Sequence, residues 1–405
     1  MIFKKLTATL LLANFAFCAQ NADVTAVGKV FGDGLKLDKV IIKYDAPLDE
    51  KSAISCNFKV SDESKDRVVK DIKVDNDSVI LTLQELPLID SSIAPKPDKE
   101  KRQKMGQNGP VLDSKGNPQP LKQITAKVKQ QSEILAKNGK IYAPQTLNAN
   151  HIKLPIIDEF RQENFTYNDI SLNYNLFVPK DYDSNKSYPL ILFMHDAGVV
   201  SPDINATLFQ GLGAIKFASD EWQNDNPSFV LAPQFDRVIV DDNFKTSKAL
   251  DVVVELIKSL QTRFNINENR IYNTGQSMGA MSSLALDAKY PNFFAASYIL
   301  AAKWDTQIYK NVANQNLFIA VSDGDTSAKN SMQELVKKIE SLGVCVKQTN
   351  FNVEDKILAN KKIDELINDD CHVYLTIFDG GSHRHTWLHA YELDSALKWV
   401  FTRTK

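Results

Sequence analysis

Residues 273–281 read NTGQSMGAM, and within them Gly275-Gln276-Ser277-Met278-Gly279 fits the pattern Gly-x-Ser-x-Gly. As a bare pentapeptide the match is weak, and its setting gives it weight. An apolar strand-like run, Arg270 to Asn273, comes before it, and a helical pattern, SMGAMSSLALDAKYP, follows and stops before Pro291. Strand, sharp turn and helix are the arrangement that forces a serine into a strained backbone conformation and projects its hydroxyl from the carboxyl edge of a sheet. Side chains two positions to either side must be tiny, a need that Gly275 and Gly279 meet. The competing reading is a glycine-rich β-to-α turn with an idle serine. If Ser277 is a nucleophile, the Met278 N–H at the helix start is aimed where an oxyanion would form.

A nucleophilic serine needs a base and an orienting acid, in the chain order Ser, Asp, His for this kind of elbow. Of the six histidines, His151 and His195 precede the serine, His372 starts a strand and His389 falls on a C-terminal helix. The remaining two sit in DGGSHRHTW, residues 379–387, directly after the strand-like VYLTIF. His383 is the expected base, with His385 the alternative and two idle loop histidines the competing reading. For the acid, LFIAVSDGDTSAKN offers Asp325, two residues further from the strand end, and Asp323, which suits a turn cap better. Asp379 lies too near His383 in sequence to be a good partner. A second oxyanion donor is expected in the loop FMHDAGVV, at the Ala197 N–H, where Ala197 and Gly198 let a carbonyl approach the backbone. His195 is expected to hold that loop in shape.

These residues need a sheet to align them. From about residue 155 onward, LNYNLFV, LILFMH, FVLAP, RIYNTG, SYILAA, LFIAVS and VYLTIF read as buried strands. Helical patterns intervene at 249–264, after Ser277 and at 330–342, and the stretch 390–401 closes the chain as a helix. Strands alternating with helices predict an α/β domain with a mostly parallel, doubly covered sheet over residues 154–405. Upstream, VIIKYDAPL, ISCNFKV and SVILTLQEL alternate apolar and polar between turn residues, and Asn138-Gly139 predicts a hairpin. Residues 20–153 therefore read as a small β-sandwich. A Pro-, Gly- and Lys-rich insertion around 91–122 reads as a disordered, solvated loop, with a basic binding patch as the sharper alternative.

The chain of 405 residues has a net charge of −2, so no global field points to nucleic acid. Lys4 and Lys5 followed by the apolar Leu6 to Phe17 read as a secretory signal peptide over residues 1–19. Lipidation at Cys18 is disfavoured by the bulky Phe17 before it. Periplasmic or extracellular export is expected, with no membrane span, because no other apolar run approaches about 18 residues. Export permits one bridge among Cys56, Cys345 and Cys371, and Cys345–Cys371 is the better pair; three unpaired cysteines is the other reading. No cysteine–histidine spacing suggests zinc, and no metal or organic cofactor is expected.

The segments YPLILFMHDAG, FVLAPQ, FNINENRIYNTGQSMGAM and GGSHRHTWLHAYE resemble secreted bacterial α/β-hydrolase esterases, nearest to the poly(3-hydroxybutyrate) depolymerase-like and feruloyl-esterase-like branch. The stretch FGDGLKLDKVIIKYDAPLDE resembles the Ig-like domain that precedes the catalytic domain in one esterase subgroup. The resemblance implies a serine carboxylesterase with Ser277, Asp325 and His383 as triad and Trp387 packed beside the histidine loop. It also implies a scaffolding, gating or homo-oligomerising role for the Ig-like domain, and a small-molecule or polymer-derived ester as substrate. Family members usually read His-Gly where this chain has His195-Asp196, which puts the rate and the substrate in question. Two other classes share the motif or the scaffold. A prolyl-oligopeptidase-type peptidase carries a propeller in front, which needs at least about four blades of four strands and does not fit 20–153. A non-catalytic binding protein on a hydrolase scaffold has only Asp196 in its favour.

Overall fold

The computed structural model describes residues 22–53, 58–63, 65–89, 121 and 123–405. The signal-peptide reading of 1–19, Cys18, Cys56 and nearly all of the 91–122 insertion lie outside the described residues. What is described forms two compact units. One holds the described chain up to Val27, Leu37–Gln84 and Thr125–Ile152. The other holds Gly28–Lys36, the described part of Glu85–Ile124, and Lys153–Lys405.

The first unit is built of short antiparallel strands. The amino-terminal strands, most of whose residues lie in this unit, are β1 (Ala22–Phe31), β2 (Gly34–Tyr44), β3 (Phe58–Asp62), β4 (Lys65–Arg67), β5 (Val69–Asp75), β6 (Ser78–Leu83), β7 (Lys127–Gln130), β8 (Ile134–Leu135), β9 (Ile141–Tyr142), β10 (Gln145–Asn148) and β11 (His151–Lys153). A five-stranded sheet runs β11-β1-β2-β6-β5 and a four-stranded sheet runs β10-β7-β3-β4. Alternation places every second side chain inside, as in β6, where Val79, Leu81 and Leu83 are buried. Strands β8 and β9 pair across the turn at Asn138-Gly139, where Gly139 takes φ +86° and the Asn138 side chain accepts the Lys140 N–H at 3.0 Å.

The second unit is an α/β fold. Its nine strands are β12 (Arg161–Tyr167), β13 (Ile170–Phe177), β14 (Tyr188–Met194), β15 (Phe229–Gln234), β16 (Ile266–Gln276), β17 (Ala296–Leu300), β18 (Leu317–Ser322), β19 (Val346–Phe351) and β20 (Val373–Phe378). They lie in the order β12-β13-β15-β14-β16-β17-β18-β20-β19. Only β12 and β13 bring antiparallel pairings; every pairing from β15 to β19 is parallel. Every residue of β14, β15, β17 and β18 is buried, as expected for strands covered on both faces. Because β16 sits in the middle, its carboxyl end opens where neighbouring strands on both sides can supply loops.

Two strands escape a reading by apolar runs. Both edge strands, β12 (RQENFTY) and β19 (VKQTNF), are largely exposed and polar, as edges usually are. Two helix boundaries also differ from the sequence reading. The helix after β18 starts at Thr326 rather than 330, because the Asp325 side chain caps it. The single C-terminal helix expected over 390–401 is two, His385–Ala390 and Asp394–Thr402, and His389 lies on the first. Cys345 and Cys371 are bridged, with Cα atoms 5.1 Å apart, just ahead of the paired residues Val346 and Val373. The bridge closes the amino ends of β19 and β20. No described helix is long and apolar enough to cross a membrane.

Candidate active site

Strand β16 delivers Ser277 into a backbone that few residues tolerate, φ +52° and ψ −117°. Such a conformation costs on the order of 1–3 kcal/mol and persists only where the surroundings impose it. Here they do. The Ser277 N–H donates to the Leu300 carbonyl of the adjacent strand at 3.0 Å, and the Ser277 carbonyl accepts the Met281 N–H at 2.9 Å as the helix Met278–Lys289 begins. A methyl group at Gly275 would meet the Gly279 carbonyl carbon at 2.5 Å, and one at Gly279 would meet the Met194 carbonyl oxygen at 1.9 Å. In both cases the methyl would meet main-chain atoms, which cannot swing aside, so both positions require glycine.

The histidine arrives from β20. Gly380 and Gly381 turn the chain back with φ +67° and +68°. Their loop meets the loop after β18 so closely that a methyl group at Gly324 would lie 2.0 Å from the Gly381 carbonyl oxygen. This close approach brings His383 to Asp325. His383 Nδ1 lies 2.5 Å from Asp325 Oδ2, and His383 Nε2 lies 2.8 Å from Ser277 Oγ. With Nδ1–H donating to the carboxylate, Nε2 is left to accept the serine proton. The other Asp325 oxygen accepts the Ala328 N–H at 3.2 Å, which fixes the carboxylate from its far side. Trp387 stands edge-on to the His383 ring at 5.0 Å.

The alternatives go elsewhere. Asp323 pairs with Lys329 at 2.7 Å, His385 Nδ1 lies 3.1 Å from Ser322 Oγ, and Asp379 accepts from Asn350.

The loop after β14 is a 3-10 turn, Ala197–Val199. Among the described residues neither the Ala197 nor the Met278 N–H has an acceptor. His195 is fully buried behind this turn. Its Nε2 accepts the Phe235 N–H at 3.0 Å, so its Nδ1 carries the hydrogen and donates to the Asp196 carbonyl at 2.7 Å. Burial also pushes its pKa down, so the ring stays neutral. The Asp196 carboxylate is folded into the same scaffold. Oδ1 accepts the Gly198 N–H at 2.7 Å, and Oδ2 accepts from Gln276 Nε2 at 3.0 Å. Asp196 thus ties the loop to the residue before Ser277. The sequence held no signal for the Gln276 partner.

Beneath the elbow, Asp287 is buried with Asn273 and Ser297, accepting from them at 3.1 and 2.9 Å. Its other oxygen, Oδ2, and the Asn273 side-chain amide oxygen, Oδ1, have no hydrogen-bond partner. Burial pushes the Asp287 carboxyl up to about 7. Protonation would turn one of those two orphaned acceptors into a donor. Glu354, His385 and His389 bring one potential metal-ligating atom each within 4.8 Å of the others, a grouping that the sequence reading did not find. Lys356 Nζ lies 3.1 Å from His389 Nδ1, a charge that any cation there would have to displace.

Residues 23–143 match the family model of the esterase Ig-like N-terminal domain. The crystal structure of a thermostable esterase superposes with a TM-score of 0.76 over 95% of this chain and 100% of that chain, at 24% identity. A feruloyl esterase module from Clostridium thermocellum in complex with sinapinate gives a TM-score of 0.45 over 62% of this chain and 90% of that chain, at 15% identity. No curated protein matches the chain by sequence. The chain therefore joins an amino-terminal domain of the esterase Ig-like kind to an α/β-hydrolase fold.

Proposed function

We propose that this chain is an exported serine carboxylesterase. The observation that carries the reading is the continuous line from Ser277 Oγ through His383 to Asp325, at 2.8 and 2.5 Å. As Ser277 Oγ attacks the ester carbonyl, His383 Nε2 takes its proton. Asp325 holds the tautomer and stabilises the imidazolium. The free N–H groups of Met278 and Ala197 receive the oxyanion, and His383 returns the proton to the leaving alcohol. Water, deprotonated by the same histidine, then releases the acid from Ser277. Residues 1–19 serve export, 20–153 form the accessory module and 154–405 the catalytic one.

The test is hydrolysis of p-nitrophenyl acetate, butyrate and octanoate by the mature protein, with Ser277→Ala and a peptide p-nitroanilide alongside. Ester turnover that vanishes in Ser277→Ala is the expected result, and the chain-length trend sizes the acyl pocket. Turnover unchanged in Ser277→Ala, or confined to the anilide, contradicts the reading.

A further inference from the structure

We infer that Arg384 forms an anion subsite beside the reacting ester, and that the preferred substrates carry a carboxylate near the scissile bond. This rests on the esterase reading and adds a substrate class to it. Arg384 directly follows His383, so the turn that sets the base also sets the arginine backbone. Its side chain reaches across to the oxyanion turn. A methyl group at Gly198 would lie 3.0 Å from Arg384 Nη2 and 2.7 Å from Asp196 Oδ1. The guanidinium therefore covers the residue next to Ala197, whose N–H is assigned to the oxyanion.

That guanidinium is partly buried, yet it has no hydrogen-bond or ion-pair partner among the described residues. To the extent that it is withdrawn from water, such a cation gains from an anionic partner. The nearby carboxylate does not serve. Both Asp196 oxygens are already committed, to the Gly198 N–H and to Gln276. The guanidinium, with Nη2 beside the oxyanion turn, thus keeps its donors without a protein acceptor, and a carboxylate is the group whose two oxygens match its planar fork. Arg384 is not needed for the proton transfers, which run through His383 alone. Its effect is expected in discrimination between substrates.

Two matched pairs test this. In one, 4-acetoxybenzoate is compared with its methyl ester, so the charge sits on the leaving group. In the other, monoethyl adipate is compared with diethyl adipate, so the charge sits on the acyl side. The wild-type chain should favour the charged member of at least one pair in kcat/KM, chiefly through KM. In Arg384→Gln that charged-to-neutral ratio should fall about tenfold or more, the scale of a charge-assisted hydrogen bond. Arg384→Lys should recover part of it and Arg384→Glu should invert it. A wild-type preference for the neutral member in both pairs, or charged and neutral esters falling in parallel in Arg384→Gln, overturns the inference and leaves the esterase reading standing. Turnover of p-nitrophenyl esters but of none of the four also overturns the inference and leaves the esterase reading standing.

Discussion

Two histidine loops meet at the carboxyl edge of the sheet, and they are opposite in construction. In the loop after β14, His195 is wholly buried and both its nitrogens are bound to backbone. In the loop after β20, the His383 side chain keeps 33% of its exposure and both nitrogens are bound to side chains that can exchange protons. The first is fixed in one tautomer and one charge state, which suits a scaffold. The second bridges a carboxylate and a serine hydroxyl, which suits a base. Position at the edge does not separate them; burial and the identity of the partners do.

The largest expected effect comes from breaking the second loop. His383→Ala should lower kcat by at least about 10³-fold, while leaving the thermal midpoint close to wild type because the ring is partly exposed. Steady-state kinetics with a melting curve checks both halves. Breaking the first loop should do the reverse. His195→Ala leaves a cavity and an unsatisfied Phe235 N–H, and should cost about 2–4 kcal/mol of stability in a urea titration. Its activity loss should be smaller than that of His383→Ala and follow from a displaced oxyanion turn.

Asp287 sharpens the contrast between a buried group and a working one. Its folded pKa, about 7, stands above the ordinary 3.8, so the folded state holds a proton that the unfolded chain releases. Stability should therefore fall as pH rises between those two values, by at most about 1.4 kcal/mol per pH unit, and level off above the upper one. Asp287→Asn should remove that slope and gain about 1–2 kcal/mol at pH 8, because an amide supplies the donor the carboxylate lacks. Melting temperatures of both proteins from pH 4 to 8 check this. The smallest effect belongs to Asp196→Gly, which restores the residue usual in the resembling esterases. Losing the turn cap and the tie to Gln276 should cost about 1 kcal/mol in the same titration.

The sequence made the chemistry legible where it was local. The elbow can be read because Gly275, Ser277 and Gly279 are adjacent in the chain and together make a recognisable pattern, even though the backbone that demands Gly279 belongs to Met194 on β14. The histidine loop can be read because it follows an apolar strand. What depends on distant contacts was harder. Asp325 could be favoured over Asp323 only by reach, whereas its capping of the following helix and its meeting with His383 come from folding. The polar edge strands β12 and β19 lack apolar runs because one side of each has no neighbour. Gln276, Arg384 and Asp287 gave no signal, since each acts through a partner remote in the chain or through burial on an elbow helix whose first ten residues are all inside.

The most direct test of the central claim is labelling by a fluorophosphonate, read by intact mass and peptide mapping. The account predicts one adduct, on Ser277, formed at least about 100-fold more slowly in a folded His383→Ala variant. A folded wild-type protein that takes no label, or that labels Ser277 equally fast without His383, would contradict it.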